Sequence, residues 1–202
     1  MSIFSTVKIA RMALANLSAA TSIESLTEDT AEAKVCNLFI DLARLETLAA
    51  HNWTFARKRT TLSTDNDDAP TNEWAYRYQY PADCVKPRWI ENPFGVAADP
   101  VPYDVETNDD GSRLTIVTDE EDAVLVYTFD QTDPNMFSPH FIDTFSYRLA
   151  AFIAQKITGS SKLKSVMLGI FDRLAIQAPA YDAMSAQGRA PRDADVIRAR
   201  TA

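Results

Sequence analysis

The 202-residue chain predicts an α+β fold, mainly α: an antiparallel helical bundle formed by both chain ends, a β-rich insertion between the second and third helices, and an extended C-terminal tail. Two observations predict it. Apolar residues recur at steps of three and four near both ends, the spacing of one helix face. The middle changes character, because eight of the ten prolines lie between Pro70 and Pro139, among short runs of aromatic and β-branched residues. Residues 1–52 and 138–188 therefore read as a helical bundle domain, residues 53–137 as a β-rich insertion domain and residues 189–202 as a C-terminal arm.

Each element follows from local spacing. The first helix runs from Ser5 to about Leu17, with Val7, Met12, Leu14 and Leu17 as apolar positions. A polar stretch, Ser18 to Asp29, follows. Ser25-Leu26-Thr27-Glu28 has capping-box spacing, and Asp29 or Thr30 can equally cap the next helix. From Thr30 to about His51, Val35, Leu38, Phe39, Leu42, Leu45, Leu48 and Ala49 recur at helical steps and read as one core-facing stripe. Strands are expected near Thr54–Leu62, Trp74–Tyr80, Val85–Glu91, Tyr103–Thr107, Leu114–Thr118 and Ala123–Phe129. Asn108-Asp109-Asp110-Gly111 is a hairpin turn, since Gly tolerates positive φ. Trp74, Tyr76, Tyr78 and Tyr80 alternate, which puts four aromatics on one strand face.

Helical spacing returns at Ser138, a good cap before Pro139 in the first turn. Phe141, Phe145, Leu149, Ile153 and Ile157 follow at steps of four, and Gly159 closes the helix. Leu163, Met167, Ile170, Leu174, Ala178 and Tyr181 mark a last helix from about Ser160 to Gly188, with a kink or break expected at Pro179.

Composition excludes several function classes. Two cysteines, Cys36 and Cys84, cannot build a disulfide framework and suggest a reducing compartment. The five glycines, at 95, 111, 159, 169 and 188, match neither a dinucleotide nor a Walker phosphate loop. The net charge of −8 opposes nucleic-acid binding by bulk attraction. That charge is unevenly placed. Residues 1–52 carry 4 basic and 6 acidic side chains, residues 53–137 carry 7 and 17, and residues 138–202 carry 9 and 5. Met1–Leu17 contains Lys8 and Arg11 and does not read as a signal peptide. No run approaches the ~20 apolar residues of a membrane span, so no membrane anchor is expected.

No catalytic constellation emerges. Asp65, Asp67 and Asp68 resemble the start of a calcium loop, but the turn glycine and the closing Glu are missing, with Tyr76 at the closing position. Asp119, Glu120, Glu121 and Asp122 form a contiguous acidic run that reads as a solvated turn rather than an acid–base pair. His51 and His140 lack a neighbouring Ser or Cys nucleophile pattern. The expectation is a chain without catalytic residues, cofactor or metal. The competing reading is a small cytoplasmic enzyme using acidic residues and His140.

Several fragments, in order, resemble one family. Ile23-Glu24-Ser25-Leu26 before the long second helix fits its opening. His51-Asn52-Trp53-Thr54-Phe55-Ala56 resembles a G-W-x-F-N/A segment, with Asn52 where Gly is commoner. Tyr78-Gln79-Tyr80-Pro81-Ala82-Asp83-Cys84 resembles Y-x-L-P-x-D-C/x, with Tyr80 replacing an aliphatic residue. Val124-Leu125-Val126-Tyr127, then Asp133-Pro134-Asn135-Met136-Phe137-Ser138-Pro139-His140-Phe141, resembles a strand leading into D-P-x-x-F-x-P-x-F. Leu149-Ala150 through Ile157-Thr158-Gly159-Ser160 resembles a helix ending in T-G-S. The sequence is thus similar to the tail tubular protein A family of short-tailed bacteriophages, the adaptor or gatekeeper ring beneath the portal. An adaptor of a long-tailed phage is the alternative within structural proteins.

The resemblance implies a virion protein of the tail or neck, made in the host cytoplasm. It also implies a homo-oligomeric ring of twelve copies, joined to a portal protein and a tail nozzle protein, through which genomic DNA passes without sequence-specific binding. In that setting Arg189, Arg192, Ile197, Arg198 and Arg200 of the arm are candidates for clasping the portal or a neighbouring subunit. Asp65, Asp67, Asp68 and Asp119 to Asp122 are candidates for acidic loops facing the channel or nozzle, where repulsion of phosphate lets DNA slide.

Overall fold

A computed structural model describes residues 5–19, 22–65, 73–93 and 100–185, with side chains to Tyr181. Four helices carry the chain ends: α1 (Thr6–Asn16), α2 (Ala31–Ala50), α3 (Pro139–Thr158) and α4 (Ser161–Ser185). Six strands lie between α2 and α3: β1 (Arg57–Thr61), β2 (Tyr76–Gln79), β3 (Cys84–Ile90), β4 (Tyr103–Thr107), β5 (Leu114–Thr118) and β6 (Val124–Phe129). The fold is mainly α, with helices from both chain ends packed together and a strand-rich insertion between α2 and α3.

The helix starts are chemically specified. Ser5 accepts the Lys8 amide, Thr30 accepts the Ala33 amide and Ser138 accepts the Phe141 amide, so α1, α2 and α3 each begin with one orphan N–H satisfied. Of the two caps open for α2, Thr30 is the one used. Glu28 instead accepts the Ser25 amide and stabilises the preceding turn. Gly159 ends α3 at φ +69, a left-handed conformation that costs glycine little. Ser160 Oγ then accepts the Leu163 amide at the start of α4.

Helix α3 is the central rod. It packs on α1, α2 and α4. Phe141, Phe145, Leu149 and Ile153 are all at most 1 % exposed, and each stabilises the fold by about 1.5–3 kcal/mol relative to full exposure. Phe39 stacks on Phe152 with centroids 5.5 Å apart, while Glu46 pairs with Arg148, so α2 runs antiparallel to α3. Arg148 also lies 5.0 Å from the Phe171 ring and His140 stacks on Tyr181, so α4 too is antiparallel to α3. Consequently α2 and α4 point the same way, and both reach α3 at Arg148.

The insertion contains two three-stranded antiparallel sheets, β1-β6-β3 and β2-β5-β4. Single bridges, Thr64 to Tyr78 and Ile90 to Val101, join them at both sides. That closure shields strand edges that would otherwise be open to pairing. Leu62, Tyr78, Ile90, Ile116, Ala123, Leu125 and Tyr127 fill the space between. The Asn108–Arg113 turn joins β4 to β5, with Gly111 at φ +72, as its sequence predicts.

Several expectations need correction. The stripe read as the core face of α2 is divided. Its buried positions are Ala33, Cys36, Ile40, Ala43, Arg44, Thr47 and Leu48, whereas Leu38 is 72 % and Leu42 44 % exposed. Two stripes with helical spacing share this helix: the one with Ala33, Cys36, Ile40, Ala43 and Leu48 faces the core, and of the predicted stripe Leu48 is buried while Val35 and Phe39 pack partly against the core. Thr54–Ala56 is a 3-10 turn, not strand. Trp74 and Tyr80 fall outside β2, so only Tyr76 and Tyr78 of the four aromatics lie in it. Pro179 does not break α4, which runs on to Ser185. The stretch from Ser18 to Asp29 is not purely solvated, because Ile23 is fully buried in the helical core.

Candidate assembly surfaces

Helices and insertion meet at an aromatic joint. Trp53 is fully buried, and its indole N–H donates to the Thr47 carbonyl at 2.7 Å, which satisfies its one polar atom. Its ring meets Phe141 edge-on at 5.1 Å. Phe55 contacts Phe137 at 5.6 Å and Phe141 at 5.0 Å. Both histidines flank the same indole, His51 at 5.1 Å and His140 at 5.9 Å. His140 Nε2 lies 3.0 Å from the Leu174 carbonyl oxygen, and the ring stacks on Tyr181 at 4.2 Å. Since a carbonyl only accepts, His140 donates from Nε2 there. One residue thus ties α3 to α4 beside the joint. Nearby, burial raises the Asp143 carboxyl above the ordinary range, against the opposing pull of His140.

Two arginines lock the seam, Arg88 of β3 and Arg44 of α2, and no motif in the sequence marks either. Arg88 on β3 donates to the carbonyls of Leu48, Ala49 and His51, at 3.1, 3.2 and 2.5 Å. These are orphan acceptors at the C-terminus of α2, where the helix dipole favours a cation. Its Nε also holds Thr128 Oγ1 at 2.8 Å, so one side chain spans β3, β6 and α2. Arg44 on α2 is 9 % exposed and pairs with Asp130, just beyond β6, and with Asp41. The sequence signal is a basic residue between Pro87 and Trp89, but Lys86 of the same strand is basic and exposed, so spacing alone does not say what Arg88 reaches.

Beside this seam lies a depression of about 410 Å³ lined by Leu45, Glu46, Ala49, Ala82, Asp83, Cys84, Val85 and Asp130. Its acids are engaged: Glu46 by Arg148, Asp130 by Arg44, and Asp83 by Lys58 at 2.6 Å and by the Tyr127 hydroxyl at 3.0 Å. Burial works against ionisation of Asp83, but the bonds from Lys58 and Tyr127 outweigh it and hold the carboxyl below its usual range. Burial and then Asp83 push Tyr127 up to about 12. Burial pushes the Cys84 thiol up to about 11, which makes it a poor nucleophile at neutral pH. Among the described residues, no group of three or more His, Cys, Asp or Glu is placed to hold a metal. Among them too, no helix is long and apolar enough to cross a membrane.

The acidic candidates separate. Arg113 grips Asp65 with two nitrogens, at 3.1 and 2.6 Å, and the Asp65 side chain is covered. Asp119 accepts the Ala75 amide at 3.0 Å, and the Glu120 carbonyl accepts the Tyr78 hydroxyl at 2.9 Å. Asp122 takes φ +53 in the turn that carries the chain from one sheet to the other. Glu121 and Asp122 are exposed. Asp67 and Asp68 lie outside the described residues, as do Arg189, Arg192, Ile197, Arg198 and Arg200.

No protein-family model matches the chain, and no curated protein sequence matches it.

Proposed function

We propose that the chain is a structural virion protein, one subunit of a head-to-tail adaptor ring that docks beneath a portal, carries a tail nozzle and lines part of the DNA exit path. The observation that carries this reading is the joint. The fragments that resemble the tail tubular protein A family are distant in sequence, yet they meet in space. Trp53 and Phe55 of one pack on Phe137 and Phe141 of another, and Asp83 of a third is held by Tyr127 of that same second fragment. A pattern whose pieces cooperate structurally is better support than the same pieces scattered over a surface. The insertion holds most of the acid excess, which suits a surface that DNA passes without sticking.

Electron microscopy and mass measurement of the purified protein, alone and with the portal of the same virion, test this reading. Rings, formed alone or only on the portal, are the expected result. A lasting monomer that never engages a portal would overturn it. Removing residues 189–202 tests the arm separately. Portal binding should weaken, and unchanged binding together with unchanged ring assembly would eliminate the clasping role.

A further inference from the structure

We infer that the outer face of α2 in one copy packs, in parallel, on the outer face of α4 in the next copy. The inference starts from a stripe that the monomer covers only at its ends. Val35, Leu38, Leu42, Leu45 and Ala49 follow steps of three and four, the seam spacing of paired helices. Val35 packs partly against the helical core and Leu45 and Ala49 are half-buried, but Leu38 and Leu42 at the centre of the row are 72 % and 44 % exposed. The stripe runs between two depressions. Leu38 borders one of about 330 Å³ with Leu26, Thr27, Glu28, Asp29, Lys34 and Asn37, and Leu45 borders the seam depression. Isolated exposed leucines are ordinary, but a seam-spaced row opening into recesses at both ends is a docking geometry.

Charge identifies the occupant. Residues 22–50 hold six acidic side chains against two basic, and the acids crowd toward the start of α2 as Glu24, Glu28, Asp29 and Glu32. Residues 155–181 hold four basic against one acidic, and the bases crowd toward the start of α4 as Lys156, Lys162 and Lys164. Beyond them α4 exposes Val166 at 47 % and Ile176 at 79 %. The same chain therefore carries both complementary faces.

Topology sets the direction. Because α2 and α4 point the same way in one copy, rotation about an axis along the bundle keeps α2 parallel to its neighbour's α4. Phe39 is level with Phe152 on α3, and Phe171 is level with Arg148. Leu38 and Leu42 therefore stand at the height of the stretch around Val166. The same operation sets the acidic start of α2 beside the basic start of α4. Such a contact is heterologous, each copy giving one face and receiving another, and it propagates to a ring or a filament. The inference deepens the ring reading and rests on it for closure, whereas the pairwise contact is tested without any portal.

One helix-on-helix contact is smaller than the ~800 Å² per partner of a standard interface, so covalent trapping is the suitable readout. Two chains are prepared with Cys84→Ser, one adding Leu42→Cys and the other Val166→Cys. The remaining native thiol, Cys36, is fully buried. Both new thiols replace exposed side chains, and circular dichroism verifies folding. Each chain alone, and the equal mixture, is treated with oxidant and in parallel with a short bis-maleimide, which tolerates a few ångströms of misregister. The mixture should give dimers at least tenfold above either chain alone and nothing larger, while a chain carrying both substitutions should give a ladder of higher oligomers. Dimers from the Leu42→Cys chain alone would mean that α2 packs on α2, and they would overturn the inference. So would a mixture no more cross-linked than its components. A trapped mixture from a protein that never binds portal would remove the connector reading and leave this contact standing. Rings on a portal from chains that do not trap would do the reverse.

Discussion

The two apolar faces of α2 have similar chemistry and opposite surroundings. The inner face carries Ala33, Cys36, Ile40, Ala43 and Leu48 against α3, all at most 4 % exposed. The outer face carries Leu38 and Leu42 in contact with solvent. Leucine stands on both faces, buried at Leu48 and exposed at Leu38 and Leu42, so burial in this helix does not follow side-chain size. A close helix–helix contact needs small residues for the backbones to approach, and Ala33 and Ala43 supply them. Leu38 and Leu42 are then free for a contact outside the monomer, whereas Phe39 stacks on Phe152 of α3. Periodicity finds both stripes, and packing decides which one folds the chain.

The sharpest way to break this contrast uses one residue type on both faces. Leu48→Ala should cost about 2–5 kcal/mol, because it opens a cavity in a core position with no exposure. Leu42→Ala should stay within about 0.5 kcal/mol of the parent, as exposed substitutions do. Denaturant unfolding of both variants decides it, and equal losses would mean that the two faces are not distinct. Next in size is the seam at the end of the same helix. Arg88→Ala removes the guanidinium that donates from Nη2 to the carbonyls of Leu48, Ala49 and His51 and from Nε to Thr128, and charge-assisted bonds of this kind contribute about 1.5–3 kcal/mol. A loss near 2 kcal/mol is expected in the same assay. Arg88→Lys should recover only part of it, since an ammonium lacks the planar fork.

Gly169→Ala sharpens the contrast from the side of α4. An added Cβ at Gly169 meets nothing within 4 Å, so helix propensity alone should stabilise the monomer by up to about 1 kcal/mol. A loss of monomer stability would show that this part of α4 is already packed. The smallest effect is a pH dependence at the seam depression. The Asp83 carboxyl is held below its unfolded range. Its contribution is therefore present above the unfolded carboxyl pKa of ~3.9 and is lost as pH falls through the lower folded value. An Asp83→Asn chain should lose less stability than the parent over that acid window. Parallel curves would show that Lys58 and Tyr127 do not favour the ionised form.

Much of the fold was legible because local rules set its boundaries. Ser138, Pro139 and Gly159 bracket α3 where cap chemistry puts them, and Tyr103–Thr107 and Leu114–Thr118 are strands with the expected limits. What the sequence could not convey is long-range. It did not show that Arg88 reaches the end of α2, that His51 and His140 share one indole, or that two bridges join the sheets at both sides. Ile23 shows the same limit at small scale, because Ile23 and Leu26 stand in a polar stretch too short for a periodicity that would reveal burial. The acidic run at Asp119–Asp122 was legible as a turn. That the Asp119 carboxylate is used to hold Ala75 was not.

The measurement that bears most directly on this division of labour is a chain carrying Leu38→Lys and Leu42→Lys. Lysine matches leucine in helix propensity, removes the apolar surface and sets positive charge against the basic face of a neighbouring α4. Thermal melting and electron-microscope counts of rings, with the portal supplied, are read on the same preparation. The predicted result is a melting curve that overlays the parent and no rings. Rings in normal number, or a melting loss as large as that of Leu48→Ala, would contradict it.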